Sequence, residues 1–149
     1  MNSINEFAVR LWKEHSQMVR EVVEKLNQED LDKRIHPEAA TAGFYLLHLL
    51  EVEQYSFSEA FGVKGRLGAS SFAPNPNPAP TVSLQAMLDE IAWQSEAYVK
   101  PLSEIANEAW EDKITLPFGV YSRFEILTWT LNHSAHHCGQ IAQAAKRGV

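Results

Sequence analysis

The chain has 149 residues, a formal net charge of −6, 45% hydrophobic and 21% charged residues. Those values fit one domain, 1–149, with a real core, and they exclude wholesale disorder or a fibrous repeat. Lys and Arg are scattered without a run or stripe, so neither a nucleic acid nor an anionic membrane is an expected partner.

Cys138 is the only cysteine, which rules out an internal disulfide. The opening MNSINEFAVRLWKEHSQ is amphipathic and soon charged, unlike a signal peptide. No stretch approaches the ~18 apolar residues of a membrane span. The expected location is the cytoplasm.

Ser3 and Glu6 make an S-x-x-E capping box ahead of the stripe Ile4, Phe7, Ala8, Leu11, Met18, Val19, Val22, Leu26. The spacing predicts a first helix over about 4–27, before the polar stretch NQEDLDKR. Thr41 is a plausible N-cap for AGFYLLHLLEVEQYSFSEAFG, which is apolar on nearly every side around His48. With Gly62 as its stop, the second helix covers about 41–61.

Residues 62–80 hold four of the seven prolines and three of the seven glycines. No helix or strand is expected there; the segment reads as a binding loop or lid, or as a strap crossing the bundle. Leu84, Met87, Leu88, Ile91, Tyr98, Leu102 and Ile105 mark a third helix over about 82–107. Thr81 or Ser83 is its cap, and Pro101 should kink or split it. DKITLPFGVYS alternates around Pro117 and Gly119, as a short hairpin or extended loop would. Ser122 and Glu125 form a second capping box, with Tyr121 and Ile126 as a hydrophobic staple. The last helix runs from there to the basic end KRG, where Lys146 and Arg147 suit the helix dipole. Four long helices, with a middle link long enough to cross, read as an all-α four-helix bundle.

His133 and His137 stand four apart on the last helix. That spacing puts both imidazoles on one face, able to converge on one ion at ~2.0–2.1 Å. His136 lies about 100° round the helix and points elsewhere. A buried, unpaired His is costly, and His48 sits midway along the most apolar helix, so His48 joins the pair as a third candidate ligand. Three histidines leave an open position, unlike a closed structural zinc site. Glu51, three residues after His48, shares its face. It is the candidate catalytic residue, readable as a general base, a fourth ligand or an orienter of one, and equally as a solvated or salt-bridged Glu with no part in the site. Gln140, a turn beyond His137, orients a ligand or merely lines the site. His15 reads as a hydrogen-bonded core histidine, His36 as a turn residue, Cys138 as a buried inert thiol, and the four tryptophans as core or interface. Tyr45 and Tyr55, with the 62–80 loop, are candidates for the entrance.

The helix FYLLHLLEVEQ, the Pro/Gly-rich crossover and NHSAHHCGQIAQ together resemble the DinB/YfiT-like superfamily over essentially the whole chain. Most specific is H-x-x-H-H-x-G-Q on the last helix, paired with a lone His on the second. The resemblance implies an up-down-down-up bundle and a divalent metal ion, zinc or nickel, held by His48, His133 and His137. It further implies transferase or isomerase chemistry with a low-molecular-weight thiol that the metal activates, and a homodimer. One position departs: the family commonly has Arg where this chain has Cys138, so whatever that arginine holds must be held differently here.

A three-histidine ion with an open position lowers the pKa of a bound thiol or water. The expected function is thiol transfer to a small electrophile. The alternatives are metal-dependent hydrolysis and a non-catalytic stress-response binding module.

Overall fold

In the computed structural model, which describes residues 3–149, helix α1 (Ile4–Val23) opens on a reciprocal cap. The Glu6 N–H donates to Ser3 Oγ at 3.2 Å and the Ser3 N–H to Glu6 Oε2 at 3.0 Å. The helix stops at Val23, short of the expected residue 27. The Asn27 N–H donates to Asp30 Oδ2 at 2.8 Å, and a separate 3₁₀ turn, Gln28–Asp32, begins there.

Helix α2 (Ala42–Phe61) starts from Thr41, whose hydroxyl accepts from the Phe44 N–H at 3.1 Å. It ends at Gly62, which takes the left-handed conformation with φ 69°. The crossover that follows is not wholly irregular, contrary to expectation: Ser70–Phe72 form one 3₁₀ turn. Its N-terminal donors are taken up by a carboxylate from α2, a distant partner that composition does not reveal.

The third helix breaks, as its proline required. α3 (Leu84–Ala97) and α4 (Val99–Glu104) meet at Tyr98. Pro101 has no N–H for the Ala97 carbonyl and its ring crowds that carbonyl, so the break falls a turn ahead of the proline. The helical run ends at Glu104, short of 107; a 3₁₀ turn over Asn107–Glu111 then buries Trp110, whose Nε1–H donates to Asn5 Oδ1 at 2.8 Å.

Strands β1 (Lys113–Leu116) and β2 (Gly119–Ser122) form the hairpin, antiparallel, with Ile114 opposite Tyr121 and Leu116 opposite Gly119. Gly119 has φ 150°, and a Cβ there would lie 2.7 Å from the Tyr121 hydroxyl. The hairpin leads directly into α5 (Arg123–Arg147). Both halves of the second capping box form, Ser122 N–H to Glu125 Oε2 at 2.6 Å and Glu125 N–H to Ser122 Oγ at 3.2 Å. Tyr121 packs with Ile126 in one apolar cluster, completing the staple.

Four helical limbs, the third broken, therefore surround the core. α2 and α5 make the most extensive helix pair. Trp12 of α1 sits 4.8 Å from Phe57 of α2 and 5.2 Å from Tyr98 (ring centroids). His15 is a hydrogen-bonded core residue, its Nε2 2.7 Å from Glu53 Oε1, with both side chains buried. His36 lies in an exposed turn. Among the described residues no helix is long and apolar enough to cross a membrane.

α5 carries two of the candidate ligands, so its start matters. Ser122→Ala should lower unfolding free energy by about 1 kcal/mol, read from the denaturant midpoint. A change under about 0.3 kcal/mol would mean the cap does not hold the helix.

Candidate metal centre

Packing α2 against α5 brings His48 to His133 and His137. One ring nitrogen from each of the three lies within 4.8 Å of the others. His133 Nε2 and His137 Nε2 are 3.1 Å apart, and the His48 ring centroid is 5.1 Å from each of the other two. With bonds of ~2.0–2.1 Å, two donors so spaced subtend about 100° at a common ion, near the tetrahedral value.

Hydrogen bonds fix which nitrogens are available. Ser71 Oγ donates to Glu51 Oε2, because a carboxylate only accepts. The same hydroxyl therefore accepts from the Nδ1–H of His48, at 3.0 Å, which leaves Nε2 as the free donor to a metal. His137 repeats the arrangement: its Nδ1–H donates to Gln140 Oε1 at 2.5 Å, again freeing Nε2. Gln140 thus orients a candidate ligand. His133 Nδ1 is buried without a partner, and its ring is held instead by stacking on Trp129 at 5.0 Å.

Burial holds the pKa values of His48 and His137 below the ordinary value. His133 is pushed down to about 4, first by burial and then by the neighbouring charges of His137, His48 and His136. All three rings are neutral at pH 7, the form in which imidazole binds metal. Neutral rings, the freed Nε2 atoms of His48 and His137 and a common focus fit a divalent ion, and His48, His133 and His137 form a candidate site for one.

Glu51 is buried behind His48 and is not among the converging groups. Its Oε1 accepts from the Ser70 N–H at 3.1 Å and Ser70 Oγ at 2.9 Å; its Oε2 accepts from the Ser71 N–H at 2.8 Å and from Ser71 Oγ. Of the three roles open to it, this bonding fits the orienting one. Gln54, a turn further along α2, fastens the same crossover. Its Oε1 accepts from the N–H groups of Arg66 and Leu67, each at 2.6 Å, and its amide donates to the Leu67 carbonyl at 2.9 Å. Arg66 in turn stands 5.0 Å over Trp93 and 3.6 Å from buried Glu90. The crossover is a strap tied to α2 and α3.

Aromatic rings lie against every ligand. Phe44 stacks on His48 at 5.6 Å, Tyr45 on His137 at 5.4 Å, and Phe72 of the strap tilts against His48 at 5.6 Å. Tyr45 is where the sequence placed it; Tyr55 is one ring removed, 5.9 Å from Phe72. Phe44, Ser71, Phe72 and Trp129 were not foreseen, although Trp129 precedes His133 by one helical turn. His136 is exposed and outside the cluster, though its ring is 5.3 Å from that of His137. Cys138 is buried on the core side of α5, where burial, with Glu53's charge adding, pushes its thiol up to about 12.

Fold and site define a helical protein whose three-histidine centre joins α2 to α5. The model of the DinB family matches residues 1–148, and the chain belongs to that family. Its fold is similar to that of a DinB-like protein from Bacillus cereus ATCC 10987, with a TM-score of 0.77 and 23% identity over 95% of this chain and 90% of that one. It is also similar to that of a conserved protein from Enterococcus faecalis, with a TM-score of 0.72 and 13% identity over 98% and 97%. No curated protein matches the chain.

Ser71→Ala should weaken metal binding by about 10–100-fold in a chelator competition, the range for losing an orienting partner. Ser70→Ala, which leaves the His48 contact in place, should shift it far less. Equal effects would refute the relay. In metal-free protein the lowered pKa values have a definite sign. Unfolded chains take up these protons near the ordinary 6.5 and the folded protein only towards about 4 at His133. Stability should therefore fall as pH drops through that window, and His133→Phe should flatten the fall in a thermal-unfolding series.

Proposed function

We propose that this protein is a metal-dependent enzyme that transfers a thiol to a small electrophile, with His48, His133 and His137 holding zinc or nickel. One observation carries the reading. The converging set has three members among the described residues, whereas a structural zinc site takes four protein ligands. A divalent ion there supplies Lewis acidity that lowers the pKa of a thiol or water.

The protein's own groups set the rest. Glu51 and Ser71 fix the His48 ring, Gln140 fixes His137, and Trp129 backs His133. Phe44, Tyr45, Phe72 and Trp129 line the centre with apolar surface. Glu51 is the positioning residue, its carboxylate committed to the Ser70–Ser71 turn. Hydrolysis would need a base to take a proton from water, and that commitment leaves Glu51 poorly placed to act as one. This favours thiol transfer over hydrolysis.

We also read the chain as one domain whose helices run up-down-down-up. Paired contacts support the reading. From Trp12–Phe57 to His15–Glu53, from Asn5–Ile105 to Trp12–Ser95, and from Arg123–Ala60 to His133–His48 the numbers run oppositely; from Gln94–Leu50 to Tyr98–Phe57 they run together.

Protein purified without an affinity tag should carry close to one zinc or nickel per chain by elemental analysis, and His133→Ala should remove it. Metal retained in that variant would refute the ligand set. In a panel of low-molecular-weight thiols with model electrophiles, His48→Ala should cut the rate by more than about 100-fold, beyond the loss of an orienting partner. Equal rates in the two proteins would refute metal-dependent transfer.

A further inference from the structure

Beside the metal centre the surface is unusually apolar. The hairpin and the first half of α5 enclose a groove of about 490 Å³ walled by Leu116, Phe118, Tyr121, Phe124, Ile126 and Trp129. Three of these rings remain open to solvent: Phe118 at 55%, Phe124 at 44% and Trp129 at 45%. Clustered exposure of that kind marks a binding surface rather than a scattered surface residue.

The polar groups of the wall are already engaged. The Tyr121 hydroxyl donates to the Phe118 carbonyl at 3.2 Å and the Thr128 hydroxyl to the Phe124 carbonyl at 2.9 Å. The Glu125 carboxylate is held by the Ser122 N–H and by Lys113, at 3.2 Å from the latter. Arg123, the next cation, is paired with Asp112 at 2.8 Å. Asn132 is the lining residue whose amide makes no side-chain hydrogen bond among the described residues. Trp129 lines the groove and also stacks on His133, so one ring stands between the groove and the three-histidine centre.

We infer that this groove binds an uncharged, mainly aromatic small molecule through its rings, with one polar group directed to Asn132. Its meaning as the body of the electrophile rests on the enzyme reading above. The volume falls in the range of small-molecule sites, about 300–1,000 Å³. A concave wall of rings without an unpaired cation selects against carboxylates and phosphates, whose charge would lose water and gain no partner.

The probe is N-phenyl-1-naphthylamine, uncharged and fluorescent in apolar sites, titrated into metal-loaded and metal-free protein. One saturable site per chain is expected, weakened at least 10-fold by Trp129→Ala and by Asn132→Leu, and at least 10-fold weaker for the anion 1-naphthylacetate. Asn132 is exposed, so the second variant stays informative should the first fold poorly by circular dichroism. In protein loaded with paramagnetic nickel or cobalt, the probe's proton resonances should broaden. Unchanged affinity in both variants, equal binding of the anion, or self-association abolished by Trp129→Ala would overturn the inference. The last would show a second copy covering the groove. Absent broadening would overturn the link to the metal centre. His48→Ala separates the two readings, because His48 touches no residue of the groove: it should abolish metal and leave probe binding intact.

Discussion

Two imidazole nitrogens held 3.1 Å apart on one face of α5 set the terms for the rest of the structure. Each ring is half-buried among aromatic neighbours, where a protonated imidazole is unfavourable. Kept neutral, with the Nδ1 of His137 already donating, the pair shares one hydrogen between its two Nε2 atoms, donated by His133, and His133 Nδ1 is left buried without a partner. A shared cation would take both Nε2 lone pairs instead, with the His133 hydrogen on Nδ1. The pair also needs α5 to begin at a fixed place and hold its phase through His137. The hairpin, the Ser122–Glu125 box and the Tyr121–Ile126 staple supply that fixed start between Lys113 and Ile126. The third imidazole then arrives by helix packing, because α2 presents His48 to the same point.

The strap is bound up with the same constraint. A buried carboxylate such as Glu51 is costly without hydrogen bonds, and the Ser70–Ser71 turn provides four. One of those serines also accepts from His48. The conformation of the crossover and the orientation of a ligand are therefore one network. The two other buried acids resolve their burial differently, Glu53 with His15 and Glu90 with Arg66 and Gln94. Only the Glu51 network reaches the centre, which separates a positioning carboxylate from two that hold limbs together.

What the sequence made legible follows the range of the interactions. Thr41, Gly62, Ser122 and Glu125 act on residues within a turn, so helix starts and stops could be read directly. His133 and His137 needed only helical spacing, and His48 needed only the improbability of a lone histidine on an apolar helix. The Ser70–Phe72 turn was hidden because its stabilising partner, Glu51, lies about twenty residues away in a different element. Ser71 was hidden for the same reason, and with it the manner in which Glu51 serves the site. The end of α1 was misplaced because Asn27 and Asp30, which look like helix-end polarity, cap a turn of their own. Trp129 was legible in principle, one turn before His133, but a tryptophan on a helical stripe is ordinarily core.

The departure at Cys138 that the sequence resemblance implies also has a physical reading. Position 138 faces the core, close enough to Glu53 for that charge to act on the thiol, and away from the converging nitrogens. An arginine there would meet Glu53, whose partner in this chain is His15. Cys138 therefore stands apart from the converging histidines, and Glu53 is satisfied from α1. What surrounds the histidines is ring surface: Phe44, Tyr45, Phe72 and Trp129. A site built this way discriminates by shape and by desolvation more than by ion pairing. Apolar contact gains with each ring buried, whereas a charged ligand would shed its hydration against an aromatic wall. The electrostatic pull at the centre then falls to the ion the three histidines would hold, and the aromatic collar determines what can approach it.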